Sequence, residues 1–235
     1  MTPSRWQKIQ QVLAARQPDL TVLADGLHKS QNISALLRTC DAVGIGTVHW
    51  HAPAQTRRRI WPHSSGGSAR WVELLHYETP QAAIEALQQQ GLQLIGAHAN
   101  PTALNYLEVD YTQPCVIVLG AEKEGLSPTL QAACDTLVQI PMHGMVGSFN
   151  VSVAAAIILE QARQQRSAAG FYQGPSRLPE DVYKRLQFQW AHPQIARFCD
   201  ARHLPYPPLD DAGELSAHPI AERASQAGLN HVHNH

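Results

Sequence analysis

The sequence predicts an α/β fold in which helices cover a parallel β-sheet, and three observations support this. Apolar, strand-like segments alternate with helical patterns throughout residues 20–165, as in chains built from repeated strand–helix units. Residues 116–119 form an uninterrupted apolar run, which is typical of a central parallel strand buried on both faces. Residues 151–159 form a helical segment that is apolar almost all round, so this helix should be buried on several sides. Ligand sites in such folds lie at the strand ends.

The first predicted helix is amphipathic and basic. Residues 4–16 repeat apolar side chains at helical spacing, and Arg5, Lys8 and Arg16 fall on the opposite side. The net charge of −1 divides into +6 for the first 70 residues, −8 for the next 90 and +1 for the remaining 75. Because polyanion binding depends on local clusters of Lys and Arg, the N-terminal part is predicted to bind a polyanion. A solvated basic face is the alternative.

A strand and a second helix follow. Residues 20–23 are each apolar or β-branched, which favours the first strand. In residues 32–44 the helical spacing aligns one buried stripe, which consists of Ile33, Leu36, Leu37 and Cys40. Arg38 therefore points away from this core. A weak surface ion pair with Asp41 is the alternative to a functional role for Arg38.

The next strand leads into an arginine-rich segment. Residues 46–50 are predicted to be a strand, and the following loop contains Arg57, Arg58 and Arg59 together with Ser and Gly residues. Adjacent guanidinium groups suit contact with phosphates and ribose hydroxyls. They also suit a mobile, solvated loop.

The remaining pattern contains one more helix, three strands and a helical appendage. A helix is predicted at residues 80–90, and strands at residues 92–97, 116–119 and 136–140. Two short amphipathic helices within residues 179–203 should join the first helix in a small appendage.

A loop with two carboxylates follows the central strand. Residues 120–125 have neither the G-x-G-x-x-G spacing nor the Gly-Lys-Ser/Thr ending of phosphate loops, and Glu122 and Glu124 would repel a phosphate. A carboxylate at this position suits a cationic ligand, such as a sulfonium or an arginine.

Residues 140–161 are predicted to form the end of a strand, a glycine loop and a helix, in that order. Gly144 and Gly147 allow close approach of the backbone to a ligand, and Ser148 or Asn150 can cap the helix. An ordinary capped core helix is one interpretation of this pattern. Polar groups and glycines at the mouth of a buried helix also suit a small-molecule site.

The composition excludes several classes of protein. The chain has 235 residues, of which 44% are hydrophobic, enough to bury a full core. It contains neither a run of roughly 20 apolar residues nor a signal-peptide pattern, so we expect a cytoplasmic protein. The four dispersed cysteines favour neither a zinc site nor a disulfide framework. The terminal His231, His233 and His235 lie in a segment predicted to be a disordered tail, so metal binding there is not expected.

Three segments resemble the motifs of the SPOUT-class RNA 2′-O-ribose methyltransferases. They are residues 32–44, 118–127 and 140–154, in the order in which that family has them, with Phe149 in place of the usual leucine. The flanking segments resemble the extensions of the tRNA (guanosine-18) branch. The expected domains are an N-terminal helical extension (1–18), a SPOUT methyltransferase domain (19–167), a C-terminal helical extension (168–207) and a disordered tail (208–235).

The resemblance implies a fold, a cofactor and partners. The fold would be a three-layer sandwich whose chain forms a deep C-terminal trefoil knot, although general topology rules disfavour knots. It also implies a homodimer, a tRNA substrate, no metal, and S-adenosylmethionine as cofactor. The implied cofactor-binding residues are Ala97, Leu119, Gly120, Ile140, Ser148 and Phe149. The implied catalytic residues are Asn32, Arg38, Glu122 and Asn150.

The implied reaction transfers a methyl group to the ribose 2′-hydroxyl of guanosine 18 in the D-loop of tRNA. The alternatives are action on ribosomal RNA or on the tRNA wobble ribose, and a non-catalytic RNA-binding module. A dinucleotide-binding oxidoreductase is disfavoured because the glycine fingerprint is missing. The candidate RNA-binding residues are Arg5, Lys8, Arg16, Arg57, Arg58, Arg59, Arg163 and Arg166.

Overall fold

The structure, a computed structural model, describes residues 1–52, 70–100, 102–121 and 124–216. The helices are α1 (Pro3–Ala14), α2 (Ser30–Ala42), α3 (Pro80–Gln88), α4 (Pro128–Ala133), α5 (Val151–Ala168), α6 (Glu180–Ala191) and α7 (Pro193–Asp200). The strands are β1 (Leu20–Asp25), β2 (Thr47–His51), β3 (Glu73–Tyr77), β4 (Gln93–Ala97), β5 (Leu104–Asn105), β6 (Cys115–Leu119) and β7 (Thr136–Gln139). The chain divides into two compact units, one of residues 17–173 and one that joins residues 1–16 to the segment from residue 174 onward.

The larger unit is built on one parallel sheet. Within the described residues its strand order is β3-β2-β1-β6-β4-β7-β5, and every pair of neighbouring strands is parallel. The predicted α/β class and the parallel sheet are therefore confirmed. The carboxyl ends of all strands share one edge of the sheet, which is where sites form in such folds.

Side chains of the central strands point alternately to the two faces of the sheet and belong to two separate cores. The larger unit is therefore a three-layer structure, with helices on both faces of the sheet. Val22 and Ile117 belong to the core on the side of α2 and α5. Leu23 and Val118, one position further along each strand, belong to the core on the side of α3 and α4. Strands buried on both faces explain the continuous apolar runs in the sequence.

Helices α2 and α5 pack against each other. The predicted stripe of α2 is buried, as are Val151, Ala155, Ile158 and Leu159 of α5, whereas Val153 remains exposed. Three elements are not predicted from the sequence, namely β3, the two-residue β5 and the six-residue α4. Strand β3 has no β-branched residue, and the other two are too short to show a period.

The smaller unit consists of α1, α6, α7 and the segment 201–216. Helix α1 packs on α6 and buries its apolar residues Trp6, Ile9 and Leu13. The prediction of a disordered tail from residue 208 is wrong for residues 208–216, since the indole nitrogen of Trp6 donates to the carbonyl oxygen of Asp211 at 2.8 Å. Gly213, at φ +74°, packs so closely on the Trp6 ring that a Cβ would lie 2.4 Å from it. Residues 217–235, including the three terminal histidines, lie outside the described residues.

Within the described part of the chain, no helix combines the length and apolar character needed to cross a membrane.

One buried histidine in the sheet gives stability a pH dependence. His49 of β2 is 2% exposed, and its Nδ1 lies 2.9 Å from the hydroxyl of Tyr77 on β3. Burial lowers the pKa of His49 from 6.5 to about 4, because the apolar surroundings disfavour the charged imidazolium. Between those two pH values the unfolded chain binds a proton at this residue and the folded chain does not.

The free energy of unfolding should therefore fall as the pH decreases from 6.5 to about 4, by at most about 3 kcal/mol, and this contribution should level off below that range. The measurement is urea unfolding at about pH 7 and about pH 4.5 for the natural protein and for His49→Gln, which cannot titrate. An identical loss of stability in both proteins would contradict the assignment to His49.

Candidate active site

The candidate site begins where three neighbouring strands end. Ala97, the last residue of β4, is in register with Leu119, the last residue of β6, and with Val138 of β7. Ile140 lies two positions after Val138 and packs against the core. Three of the predicted cofactor residues are thus brought to one edge of the sheet by the parallel register alone.

The loop after β6 is compact and needs its glycines. The backbone N–H groups of Ala121 and Gly125 each donate to the other residue's carbonyl oxygen at 2.9 Å, and Gly125 has φ +71°. A Cβ on Gly120 would lie 2.1 Å from the backbone of Gly125, so only glycine fits there. Glu122, a predicted catalytic residue, lies outside the described residues.

The segment after β7 leads into a well-capped helix. The side-chain oxygen of Asn150 accepts hydrogen bonds from the backbone N–H of Ser152 at 2.9 Å and from its hydroxyl at 2.7 Å. Asn150 is therefore the N-cap of α5, one of the two residues predicted for that role. The predicted cofactor residues Ser148 and Phe149 lie directly before the cap and are exposed.

A hydrogen bond joins the first and third motifs. The amide nitrogen of Asn150 donates to the side-chain oxygen of Asn32 at 3.2 Å, and Asn32 is only 7% exposed in the first turn of α2. The oxygen of Asn150 is already used by the cap, which leaves its N–H₂ group to face Asn32. The bond holds together the starts of the two packed helices.

Arg38 lies on the exposed side of α2, as predicted. Among the described residues, its guanidinium has no hydrogen bond or ion pair, so all five of its donors are available to a ligand. Arg38 is six residues beyond Asn32, so the two side chains lie about 120° apart around the helix axis. The geometry therefore favours Asn150, rather than Arg38, as the side chain that Asn32 orients.

Two of the predicted RNA-binding residues are buried, and these predictions are wrong. Arg166 is 0% exposed, and its guanidinium donates to Gln17, Asp19, Tyr111 and Gln113. Arg16 is 1% exposed and lies over the ring of Trp190, 5.2 Å from its centroid. Both guanidinium groups stabilise the fold, and neither can reach a phosphate.

The other basic candidates differ in their surroundings. Arg5 and Lys8 are exposed on α1. Arg163 is partly exposed, but Glu160 accepts two hydrogen bonds from its guanidinium, both at 2.7 Å, so its charge is largely neutralised. Arg57, Arg58 and Arg59 lie outside the described residues.

The structure also brings forward a carboxylate that is not predicted from the sequence. Asp25, at the end of β1, is 4% exposed, and its two oxygens contact His51 Nδ1 at 2.8 Å and the backbone N–H of Ser127 at 3.0 Å. The sequence signal is a single acidic residue that directly follows a buried apolar strand, at the edge where sites form.

Two family models match this chain. The SpoU rRNA Methylase family matches residues 19–160, and the C-terminal SpoU rRNA methylase model matches residues 164–218. The chain therefore belongs to the SpoU methylase family, and the resemblance in its three motifs is confirmed.

The chain is also similar to individual proteins of this family. It is 41% identical over 218 residues to the tRNA (guanosine(18)-2′-O)-methyltransferase of Escherichia coli K12, and this match covers 92% of this chain and 95% of the relative. It is also similar to the crystal structure of the TrmH/SpoU tRNA modifying enzyme of A. aeolicus, with a TM-score of 0.75, 35% identity, and 82% and 97% of the two chains covered. A third similar structure is the SpoU methyltransferase AviRb of Streptomyces viridochromogenes, solved in complex with S-adenosylmethionine. The TM-score is 0.58 at 26% identity, and the match covers 66% of this chain and 61% of the AviRb chain.

Proposed function

We propose that this protein transfers a methyl group from S-adenosylmethionine to the ribose 2′-hydroxyl of guanosine 18 of tRNA. The observation that carries the proposal is the hydrogen bond from Asn150 to Asn32, because it assembles two separate motifs into one site beside the exposed Arg38. The E. coli relative supports the choice of substrate, since it matches nearly the whole chain, extensions included.

The residues at the carboxyl edge fit S-adenosylmethionine. Apolar side chains at the strand ends suit its adenine ring, and the exposed glycine loop, where a Cβ on Gly144 or Gly147 would meet nothing within 4 Å, leaves room for it. The cofactor would be held by Ala97, Leu119, Gly120, Ile140, Ser148 and Phe149. The acidic character of residues 71–160 suits a sulfonium cation. When bound, the cofactor supplies an electrophilic methyl group.

The side chains then have separate tasks. A ribose hydroxyl is a weak nucleophile and must lose its proton as it attacks. Arg38 stays protonated in essentially any protein environment, so we assign it the binding of the 5′-phosphate and the stabilisation of the developing alkoxide charge. Arg38 relays the hydroxyl proton only if that phosphate helps. Asn32 holds Asn150, which fixes the start of α5 and the loop before it, while Glu122 holds Arg38 or Asn32.

The test of the function is methyl transfer to defined RNAs. We expect the purified protein with labelled S-adenosylmethionine to modify a tRNA transcript at guanosine 18, and to leave unmodified the matched transcript that carries deoxyguanosine at that position. Modification of ribosomal RNA or of the wobble ribose instead would establish one of the alternative substrates. Binding of tRNA without any transfer would establish a non-catalytic module.

We also propose that the protein acts as a homodimer. Large apolar side chains around the start of α5 are exposed in the single chain, namely Met145, Val146, Phe149 and Val153. Exposed apolar clusters of this kind commonly mark an interface, and a two-fold axis beside α2 and α5 would bring Arg38 close to the partner's cofactor loops.

If the sites are shared, two inactive variants should complement each other. A mixture of Arg38→Ala and Asn150→Ala chains, each inactive alone, should regain methyl transfer after subunit exchange, because one site in each heterodimer keeps both residues. Lack of recovery in verified heterodimers would show that each site is built from one chain, and a monomer by light scattering would refute the dimer.

Other expectations from the sequence and from the family resemblance stay predictions. They are the trefoil knot, the bounds of the four domains apart from the corrected tail, the absence of a metal, a cytoplasmic location, and RNA binding by Arg5, Lys8, Arg57, Arg58, Arg59 and Arg163.

A further inference from the structure

The second-motif loop, defined as residues 120–127, is described at residues 120–121 and 124–127. Ala121 and Gly125 join these two parts by exchanging two backbone hydrogen bonds at 2.9 Å, and Ser127, at the end of the loop, is the N-cap residue of α4. A displacement of Ser127 can therefore reach Gly120, which we assign to cofactor binding, through Gly125 and Ala121.

The second-motif loop contacts the turn that follows β1 at both ends, by a hydrogen bond at one end and by close packing at the other. At its far end, Asp25 accepts the backbone N–H of Ser127 at 3.0 Å. At its near end, Gly26 faces Ala121 so closely that a Cβ on Gly26 would lie 3.3 Å from the Cβ of Ala121. This turn is also hydrogen-bonded to β2, since the backbone N–H of Gly26 donates to the carbonyl oxygen of His51 at 2.8 Å.

The carboxylate of Asp25 suits the two contacts that it makes, one with Ser127 of the loop and one with His51. A buried carboxylate is costly unless both of its oxygens are satisfied, and here each oxygen receives one partner, His51 Nδ1 at 2.8 Å and the Ser127 N–H. An ionised carboxylate is an acceptor only, so the contact with His51 requires a proton on Nδ1. An amide in the same place offers one acceptor oxygen and cannot satisfy both donors.

We propose that Asp25 is a positioning residue for the methyl-transfer reaction, which holds the second-motif loop in the geometry that binds S-adenosylmethionine, and that His51 orients Asp25. The proposal rests on the proposed function. Asp25 acts through the loop and need not touch the cofactor.

The variant that tests this is Asp25→Asn. It should weaken the affinity for S-adenosylmethionine, measured by calorimetry, by at least about tenfold, because a hydrogen bond to a charged group is lost. The kcat at saturating S-adenosylmethionine should change by less than about threefold, since Arg38, Asn32 and Asn150 are not displaced. The NMR signal of the Ser127 amide should shift as it loses its carboxylate partner.

His51 supplies a second pair of variants. His51→Asn keeps an N–H close to the position of Nδ1 and should retain most of the affinity, whereas His51→Ala should lose affinity as Asp25→Asn does. If Asp25→Asn does not fold, this pair decides the question.

A control lies at the opposite edge of the sheet. Asp135, which is exposed, accepts the backbone N–H of Leu94 at 2.8 Å, so Asp135→Asn also replaces a carboxylate that accepts a backbone N–H, near the amino end of β4, and should leave the affinity unchanged. Unchanged affinity in Asp25→Asn and in His51→Ala would overturn the inference, as would a fall in kcat without a change in affinity. If the natural protein itself fails to bind S-adenosylmethionine, the proposed function is what fails.

Discussion

Arg38→Ala should lower methyl transfer to tRNA by at least about 100-fold, the effect of removing one main electrostatic stabiliser of a transition state. The affinity for S-adenosylmethionine should stay nearly unchanged, because Arg38 is exposed on α2 and the residues assigned to the cofactor lie at the strand ends and in the loops. Stability should also be preserved, since the guanidinium makes no hydrogen bond or ion pair within the described residues. Single-turnover transfer, calorimetry and thermal unfolding measure the three quantities.

Arg38→Lys tests the geometry of this contact. Lysine keeps the positive charge but lacks the planar pair of donors that matches a phosphate, so it should restore little of the lost activity. Full activity in the lysine variant would show that a point charge is enough. An equal loss of cofactor affinity in Arg38→Ala would show that Arg38 binds the cofactor and not only the RNA.

Arg166→Met should lower the free energy of unfolding by about 3–5 kcal/mol, the usual cost of removing one partner from a buried ion pair. The guanidinium of Arg166 donates to the carboxylate of Asp19 at 2.6 Å and to backbone carbonyls of Tyr111, Gln113 and Asp19. Methionine fills most of the space but leaves these buried and partly buried acceptors without their donor. Urea unfolding, with equal slopes for both proteins, measures the difference.

Arg163→Ala is the control for this prediction, since Arg163 lies three residues earlier on the same helix. Its pair with Glu160 is partly exposed, so its loss should cost less than about 1 kcal/mol. Hydrogen bonds with Arg163 lower the pKa of Glu160 to about 2. Because solvent screens this partly exposed pair, the low pKa does not alter the expected loss of stability. An Arg166→Met protein of normal stability but weakened tRNA binding would reinstate Arg166 as an RNA contact.

The wrong predictions for Arg16 and Arg166 have a common cause. Both residues lie near the end of an amphipathic helical segment, where the polar side of the pattern is expected to face water. A long side chain can instead return its charged group to buried partners. Arg166 does so with carbonyl oxygens of other segments, and Arg16 lies over the ring of Trp190, in a helix that is distant in the sequence. Helical periodicity contains no information about these partners.

The sequence by itself determined most of the strands and helices in the larger unit, although not β3, β5 and α4, together with the parallel class of the sheet and the segments that form the site. These properties are local, because strand and helix periods, glycines and caps act over a few residues. Tertiary structure decided which polar groups meet. Asn32 and Asn150 are 118 positions apart, Asp25 and Ser127 are 102 apart, and each pair forms only because strand register and helix packing bring their segments to the same edge. A hydrogen bond depends on tenths of an ångström and on the burial of both groups, and only the packed chain sets these.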